Sequence, residues 1–220
     1  MSAYMIAATG TNIGKTFTTC ALVHAARAHG RAVAAYKPII SGYVEGDAQS
    51  DSAQILAALG QGEMDAISPW RFAAPLSPDM AARLEGRSLA LADIVAWTQS
   101  VKPTAELTLI ETVGGLMVPL NAQNTTRDWM QQMGLPLILV TGSYLGAISH
   151  TLTTLEAARA VGLKVAALII SETEGSTVDL QATRESIANH AHDIPLILAQ
   201  PRVSSPSEAT VIHSLLERGV

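Results

Sequence analysis

"AATGTNIGKT", residues 7–16, ends in Gly14-Lys15-Thr16, the tail of a phosphate-binding loop, yet it misses that loop's usual spacing. The pattern G-x-x-x-x-G-K-[ST] asks for glycine at position 9, where this chain has Thr9, with Gly10 one place late. The stretch before it, "AYMIAAT", is a strand-length apolar run; "KTFTTCALVHAARAHG" after it has a helical pattern closed by Gly30. A strand-to-helix loop is where backbone N–H groups and a helix N-terminus converge on an anion. In that setting Gly14 allows close approach, Lys15 reaches terminal phosphates, and the Thr16 hydroxyl can hold Mg²⁺.

Working outward, apolar runs keep alternating with helical patterns. "RAVAAYKP", "ELTLIET", "LPLILVT", "KVAALIIS" and "IPLILAQ" read as strands. Helices are predicted over "SDSAQILAALG", "SLALADIVAWTQS", "AISHTLTTLEAARAVG" and "VDLQATRESIANHA", with a last one from about Ser207. Ser50 is the expected N-cap of the first of these, with Gly60 past its end. The alternation predicts an α/β fold: one domain over residues 1–220, a mostly parallel sheet with helices on both faces. Residues 61–87, rich in Pro and small side chains, are expected to form surface loops.

Composition narrows the function classes. A chain of 220 residues with 48% hydrophobic content can bury a large core, and mean hydropathy of +0.26 fits strands buried on both faces. A net charge of -5 argues against a broad nucleic-acid or anionic-membrane footprint. The single Cys20 excludes an internal disulfide and suits a reducing cytoplasm; its apolar setting suggests packing. The first residues lack a basic signal-peptide region, and no apolar run approaches the roughly 20 residues of a membrane span.

Ligands of such folds bind beyond the carboxyl ends of the strands, and three more groups fall there. Glu111 ends "LTLIE" just before Gly114-Gly115, where a hard cation and phosphates can meet. Lys37 ends the second strand, pointing to the same site or equally a surface lysine. Asp51 opens a helix, and by sequence physics alone reads as helix capping. Of the six histidines, His24, His29, His190 and His192 read as surface or packing residues.

Together these segments resemble the dethiobiotin synthetase family of P-loop enzymes. The family's loop, G-T-x-T-x-x-G-K-T, is matched at Thr9, Thr11, Gly14, Lys15 and Thr16, with Ala8 in place of the first glycine. "YKPIISG", "SDSAQIL", "FAAPLSPDMAARLEG", "ETVGGLMVPL" and "GSYLGAISHTLTTLEA" are similar to five further family segments in the same order. The resemblance implies ATP- and Mg²⁺-dependent carboxylation of 7,8-diaminononanoate by CO₂ and closure to dethiobiotin, through a carbamate and a carbamic-phosphoric anhydride. It implies Lys15 and Lys37 as catalytic groups and Thr16, Asp51 and Glu111 as magnesium ligands, overriding the capping reading of Asp51. Nucleotide contacts would come from Asn12, Ile13, Gly14, Lys15, Thr16, Phe17, Asp51, Glu111, Thr112, Val113, Gly114, Ser171 and Glu172. Substrate contacts would come from Thr11, Ser41 and His150, in a homodimer with substrate near the interface.

Departures from the family pattern are Gly10, Asn12, Thr112-Val113 for Gly-Ala, and Ser171-Glu172 where an Asn-Asp pair often reads the base. The last implies relaxed base choice. A cobyrinate-type amide synthetase would need a glutaminase domain with a catalytic Cys. A ParA/MinD-like switch ATPase would need a lysine near Gly10 and a basic or amphipathic terminal helix. A catalytically dead binding module is disfavoured by the intact charged matches.

Overall fold

The computed structural model describes residues 1–102 and 104–218. Six strands form one sheet: β1 (Ser2–Ala8), β2 (Val33–Tyr36), β5 (Leu107–Glu111), β6 (Leu137–Gly142), β7 (Val165–Ser171) and β8 (Ile197–Gln200). Their order is β2-β5-β1-β6-β7-β8, and every neighbouring pair is parallel. All residues of β5 and β6 are buried, which explains their unbroken apolar sequences.

Two apolar cores lie on opposite faces of the sheet, and successive β1 residues alternate between them. Met5 and Ala7 pack with α5 (Leu91–Val101), α6 (Thr126–Met133), α7 (Ala147–Arg159) and α8 (Leu180–Ala188). Tyr4, Ile6 and Ala8 pack with α1 (Lys15–Ala28), α2 (Asp51–Leu59) and α9 (Thr210–Glu217). The period of two along a strand produces this sorting. Cys20 lies in the second core at 2% exposure, and burial pushes its thiol pKa up to about 12, so it is a packing residue. Among the described residues no helix is long and apolar enough to cross a membrane.

The expected caps of α2 are present. Ser50 Oγ accepts from Ala53 N at 3.3 Å, and Gly60 follows the helix at φ 73°. Elsewhere the structure corrects the sequence reading. The expected surface loops of 61–87 contain α3 (Met64–Ile67), β4 (Trp70–Phe72) and α4 (Pro78–Leu84). β4 pairs in parallel with β3 (Ile39–Ser41), and Phe72, Ala81 and Ala82 are buried in the first core. Three-residue strands carry too little periodicity to announce themselves, and their pairing partner lies some thirty residues away.

Helix α6 is also absent from the sequence reading. Its signal is a capping box: the Thr125 N–H donates to Asp128 Oδ2 at 2.6 Å, with the Thr125 side chain returning to the helix start. Behind it, Trp129 is wholly buried and its Nε1 donates to Thr98 Oγ1 at 3.2 Å. Helix α8 ends at Ala188, so His190 and His192 lie beyond it rather than on a helix. The last helix starts at Thr210 after a short 3₁₀ turn, Pro206–Glu208; the final two residues of the predicted helix lie outside the described residues.

Candidate active site

The loop 9–14 leaves the tip of β1 at the middle of the sheet and enters α1 without a side-chain cap. Gly14 takes the N-cap place at φ 101°, leaving the first-turn N–H groups open to an anion. A Cβ there would come within 3.0 Å of Ser171 Oγ, so the glycine also lets the loop pack against the end of β7. Asn12 holds φ 56°, which Asn tolerates better than most side chains. Lys15 Nζ folds back onto Gly10 O at 3.0 Å. Gly115 lets the loop after β5 approach from the other side, since a Cβ would sit 3.2 Å from Thr9 O.

Below the loop is a buried charged cluster. Glu111, fully buried at the end of β5, accepts at Oε1 from Lys37 Nζ (2.7 Å) and Thr16 Oγ1 (2.8 Å), and at Oε2 from Thr19 Oγ1 (2.7 Å). Lys37, 3% exposed just past β2, also donates to Thr112 O at 3.1 Å and pairs with Asp51 Oδ2 at 3.0 Å. Asp51 occupies the first position of α2, where Ser50 is the cap. Its side chain is 41% exposed and faces the cluster, not only its own helix. Ser68 fastens this arrangement: it donates to Lys37 O at 2.6 Å and meets Ser52 Oγ at 2.6 Å. The segment expected to be surface loop therefore anchors the lysine's backbone.

The cluster's electrostatics follow from burial set against opposite charge. Burial works against the charge of Lys37, but Glu111 and Asp51 outweigh it and its pKa is raised. Burial would also raise Asp51, yet Lys37 together with Thr16 holds it below the usual carboxylate range. Lys15 has no such close partner, and burial together with the charge of Lys37 lowers it to about 8. Lys37 is thus a fixed positive charge. Lys15 is one whose protonation a bound polyanion would strengthen.

Two cavities open above this cluster, divided by a ridge of Asn12, Gly14 and Phe17 that lines both. The larger, about 750 Å³, is floored by Lys15, Thr16, Lys37 and Asp51, with Thr11, Ser41, Val113 and Gly114 on its walls. The smaller, about 650 Å³, is lined by Ile13, Ser171, Glu172, Thr173, Pro201 and Arg202. The charged floor belongs to the first cavity, and the end of β7 borders the second.

A family profile described as AAA domain matches residues 2–209. An ATP-dependent dethiobiotin synthetase from Methylobacterium nodulans is 46% identical over 202 residues, spanning 87% of this chain and 90% of the relative. That from Phenylobacterium zucineum is 43% identical over 228 residues, spanning 98% and 95%. The chain belongs to the dethiobiotin synthetase family. Among solved structures, MinD of Pyrococcus furiosus superposes with a TM-score of 0.60 at 16% identity, covering 100% of both chains. MinD of Pyrococcus horikoshii gives 0.59 at 17%, covering 98% of this chain and 95% of that one. At such identity the likeness is one of fold alone.

Of the site residues that resemblance to the synthetase family implies, most come together. Thr11, Asn12, Gly14, Lys15, Thr16, Phe17, Lys37, Ser41, Asp51, Val113 and Gly114 line the larger cavity, and Ile13, Ser171 and Glu172 the smaller. Glu111 acts from beneath the floor, fully buried. Thr112 lines neither cavity. Its hydroxyl donates to Ile6 O at 3.0 Å and its carbonyl receives Lys37, so its contribution is to hold the lysine. His150 also stands apart: it is exposed on the first turn of α7, with Nδ1 2.9 Å from Tyr144 Oη. Thr19 and Ser68 were not singled out from sequence. For Thr19 the available signal is its place three residues after Thr16, on the same helical face.

Proposed function

We propose that this chain makes dethiobiotin from 7,8-diaminononanoate, CO₂ and ATP. The observation that carries the reading, beside family membership, is the meeting of Lys15, Thr16, Lys37 and Asp51 on the floor of one cavity, with Glu111 buried beneath them. The chemistry needs no protein nucleophile. One substrate amine attacks CO₂ and loses a proton to give a carbamate. A carbamate oxygen takes the γ-phosphoryl group of ATP, releasing ADP and forming a carbamic-phosphoric anhydride. The second amine attacks the carbonyl carbon, phosphate leaves, and the ureido ring closes. Negative charge accumulates at the carbamate and the transferred phosphoryl group, and the protein's task is positioning and neutralisation.

Lys37 is the fixed cation for that charge, and Lys15 is a second whose protonation the bound phosphates would strengthen. Ser41 is well suited to orient the diamine, since its hydroxyl is buried, lies on the cavity wall and has no hydrogen-bond partner among the described residues. A buried hydroxyl left unpaired is costly, and a bound polar group would relieve it. Thr11 lines the same wall. The donor set also fits Mg²⁺: the Thr16 hydroxyl bonds to Glu111 Oε1 at 2.8 Å and to the Asp51 carboxylate, so three oxygens, two of them on anionic groups, lie together. Thr16, Asp51 and Glu111 would hold the ion, which when bound would neutralise phosphate oxygens.

A homodimer agrees with several large apolar side chains left in solvent. Leu76, which lines the cavity, is 44% exposed, and one and two turns further along the chain Met80 and Leu84 are 46% and 69% exposed. Leu145, just before α7, is 92% exposed, on the same segment as His150. Sedimentation should give twice the chain mass, whereas a monomer at micromolar concentration would overturn the dimer.

The functional test is direct: protein, diaminononanoate, bicarbonate, Mg²⁺ and ATP should yield dethiobiotin by mass spectrometry. ATP hydrolysis without that product would overturn the reading. Replacing ATP in the same assay probes the second cavity. Ser171 offers one rotatable hydroxyl, and Glu172 already accepts from the Arg202 N–H at 2.7 Å, so neither imposes the paired donor–acceptor pattern of an Asn amide. GTP or CTP should therefore support product formation at a measurable fraction of the ATP rate, and Ser171→Asn should shift the ratio toward ATP. A preference for ATP above about 10⁴ in kcat/KM, the level of obligatory hydrogen bonding, would mean that other groups read the base.

A further inference from the structure

Glu111 is the hub of the charged floor, and a hub carboxylate is useful only while its orientation is fixed. It ends a strand, is fully buried, and has two rotatable bonds beyond its Cβ. Oε1 is shared by Thr16 and Lys37, two groups that would both face the nucleotide. Oε2 points the other way, and among the described residues its hydrogen-bond donor is Thr19 Oγ1 at 2.7 Å. Thr19 is itself fully buried and lines neither cavity, so ligand does not reach it. Its hydroxyl has one proton and two acceptors in range, Glu111 Oε2 and Lys15 O at 3.1 Å; the nearer, charged oxygen is the stronger acceptor.

We propose that Thr19 is a positioning residue: by clamping Oε2 of Glu111 it aims Oε1 between Thr16 and Lys37. The inference rests on the reading of this floor as a Mg²⁺–ATP site. Thr16 and Thr19 then work as a pair one helical turn apart, one hydroxyl facing the ligand and the other holding the carboxylate from behind. Without the second hydroxyl Oε2 is left buried and unpaired, so the carboxylate must turn to seek another donor. Oε1 is then withdrawn from the position in which it serves the ion and the lysine. Hydrogen-bonding partners behind metal-holding side chains are commonly worth 10–100-fold in metal affinity or activity.

The test is calorimetric titration with the non-hydrolysable analogue adenylyl imidodiphosphate, once with Mg²⁺ and once with EDTA. Thr19→Val keeps the shape and removes the hydroxyl. It should lower affinity by about 10–100-fold with Mg²⁺ and change it little in EDTA. Thr19→Ser should restore the Mg²⁺ effect. In turnover, Thr19→Val should lower kcat while leaving KM for the diamine within a few-fold. Thr19→Ala, a second variant without the hydroxyl, carries the same expectation if the valine protein does not fold. A Mg²⁺ enhancement equal to wild type in the hydroxyl-free variant, or an equal loss with and without Mg²⁺, overturns the role of Thr19 and leaves the site reading intact. Absence of any Mg²⁺ enhancement in the wild-type protein overturns the metal reading, and the inference with it.

Discussion

Lys37→Ala should lower kcat for dethiobiotin formation by about 10²–10³, the usual loss on removing one preorganised charge from a transition state. The cation is held by Glu111 at 2.7 Å, Asp51 at 3.0 Å and Thr112 O at 3.1 Å, so it does not reorganise when charge develops beside it. Its raised pKa keeps it protonated throughout the working range. Stability should also fall, by about 3–5 kcal/mol, because the change removes one partner of a buried ion pair and this lysine is 3% exposed rather than on the surface. The fully buried Glu111 carboxylate loses its counter-ion. Glu111 keeps the Thr16 and Thr19 hydroxyls, and Asp51, 41% exposed, can turn to water. The measurement is single-turnover phosphoryl transfer well below the variant's melting temperature. A folded variant that turns over within a few-fold of wild type would remove Lys37 from the mechanism.

Glu111→Ala should damage the fold as well. It deletes the anion at the centre of the cluster, leaving Lys37 buried with Asp51 at the cavity edge and a single carbonyl. It also removes one of the charges that support protonation of Lys15, whose pKa is already down at about 8. Breaking a buried ion pair from one side typically costs about 3–5 kcal/mol. For a chain of this size that corresponds to a fall in melting temperature of roughly 6–20 °C. Activity should be lost with it, since Thr16 and Lys37 lose their common acceptor. Glu111→Gln separates the two effects: it retains an oxygen acceptor for both donors and should recover part of the stability but little of the turnover. Melting curves of the three proteins at pH 7.5 decide it, and a loss below about 1 kcal/mol for Glu111→Ala would show that the cluster does not bear on the fold.

Much of the architecture was legible because it repeats a local signal. A parallel strand buried on both faces must be apolar throughout, and "LPLILVT" and "VAALIIS" could be little else. Caps such as Ser50 and Gly60 act within a single turn, so four residues of sequence suffice to locate them. The features that escaped were those without a local period. Strand β3 is three residues long and its partner β4 lies beyond α2 and α3, so their pairing is visible only once the chain has closed. Helix α6 was missed although its capping box is written in the sequence, because its eight residues mix Trp and Met with a mostly polar remainder.

The site divides along the same line. The sequence by itself determined that a phosphate loop, a lysine, an acidic helix start and a strand-end glutamate all lie at the carboxyl edge of one sheet. Strand polarity in a βαβ fold leaves them no other edge. For Lys37 and Asp51 the sequence physics left two readings each, surface or site and cap or ligand. Only tertiary structure brings them together, by setting Lys37 on the buried carboxylate of Glu111, 74 positions along the chain, and Asp51 on Lys37. Burial turns a flexible surface lysine into a fixed cation, and that burial depends on Ser68 and Thr112, which hold its backbone and its head group. Thr19 belongs largely to this second class: its spacing from Thr16 puts it on the same helical face, but its long-range acceptor, Glu111 Oε2, arrives only when β5 comes to lie beneath α1. Charge placement in a low-dielectric interior depends on distances of a few ångströms between segments far apart in sequence, and the packed chain sets those distances.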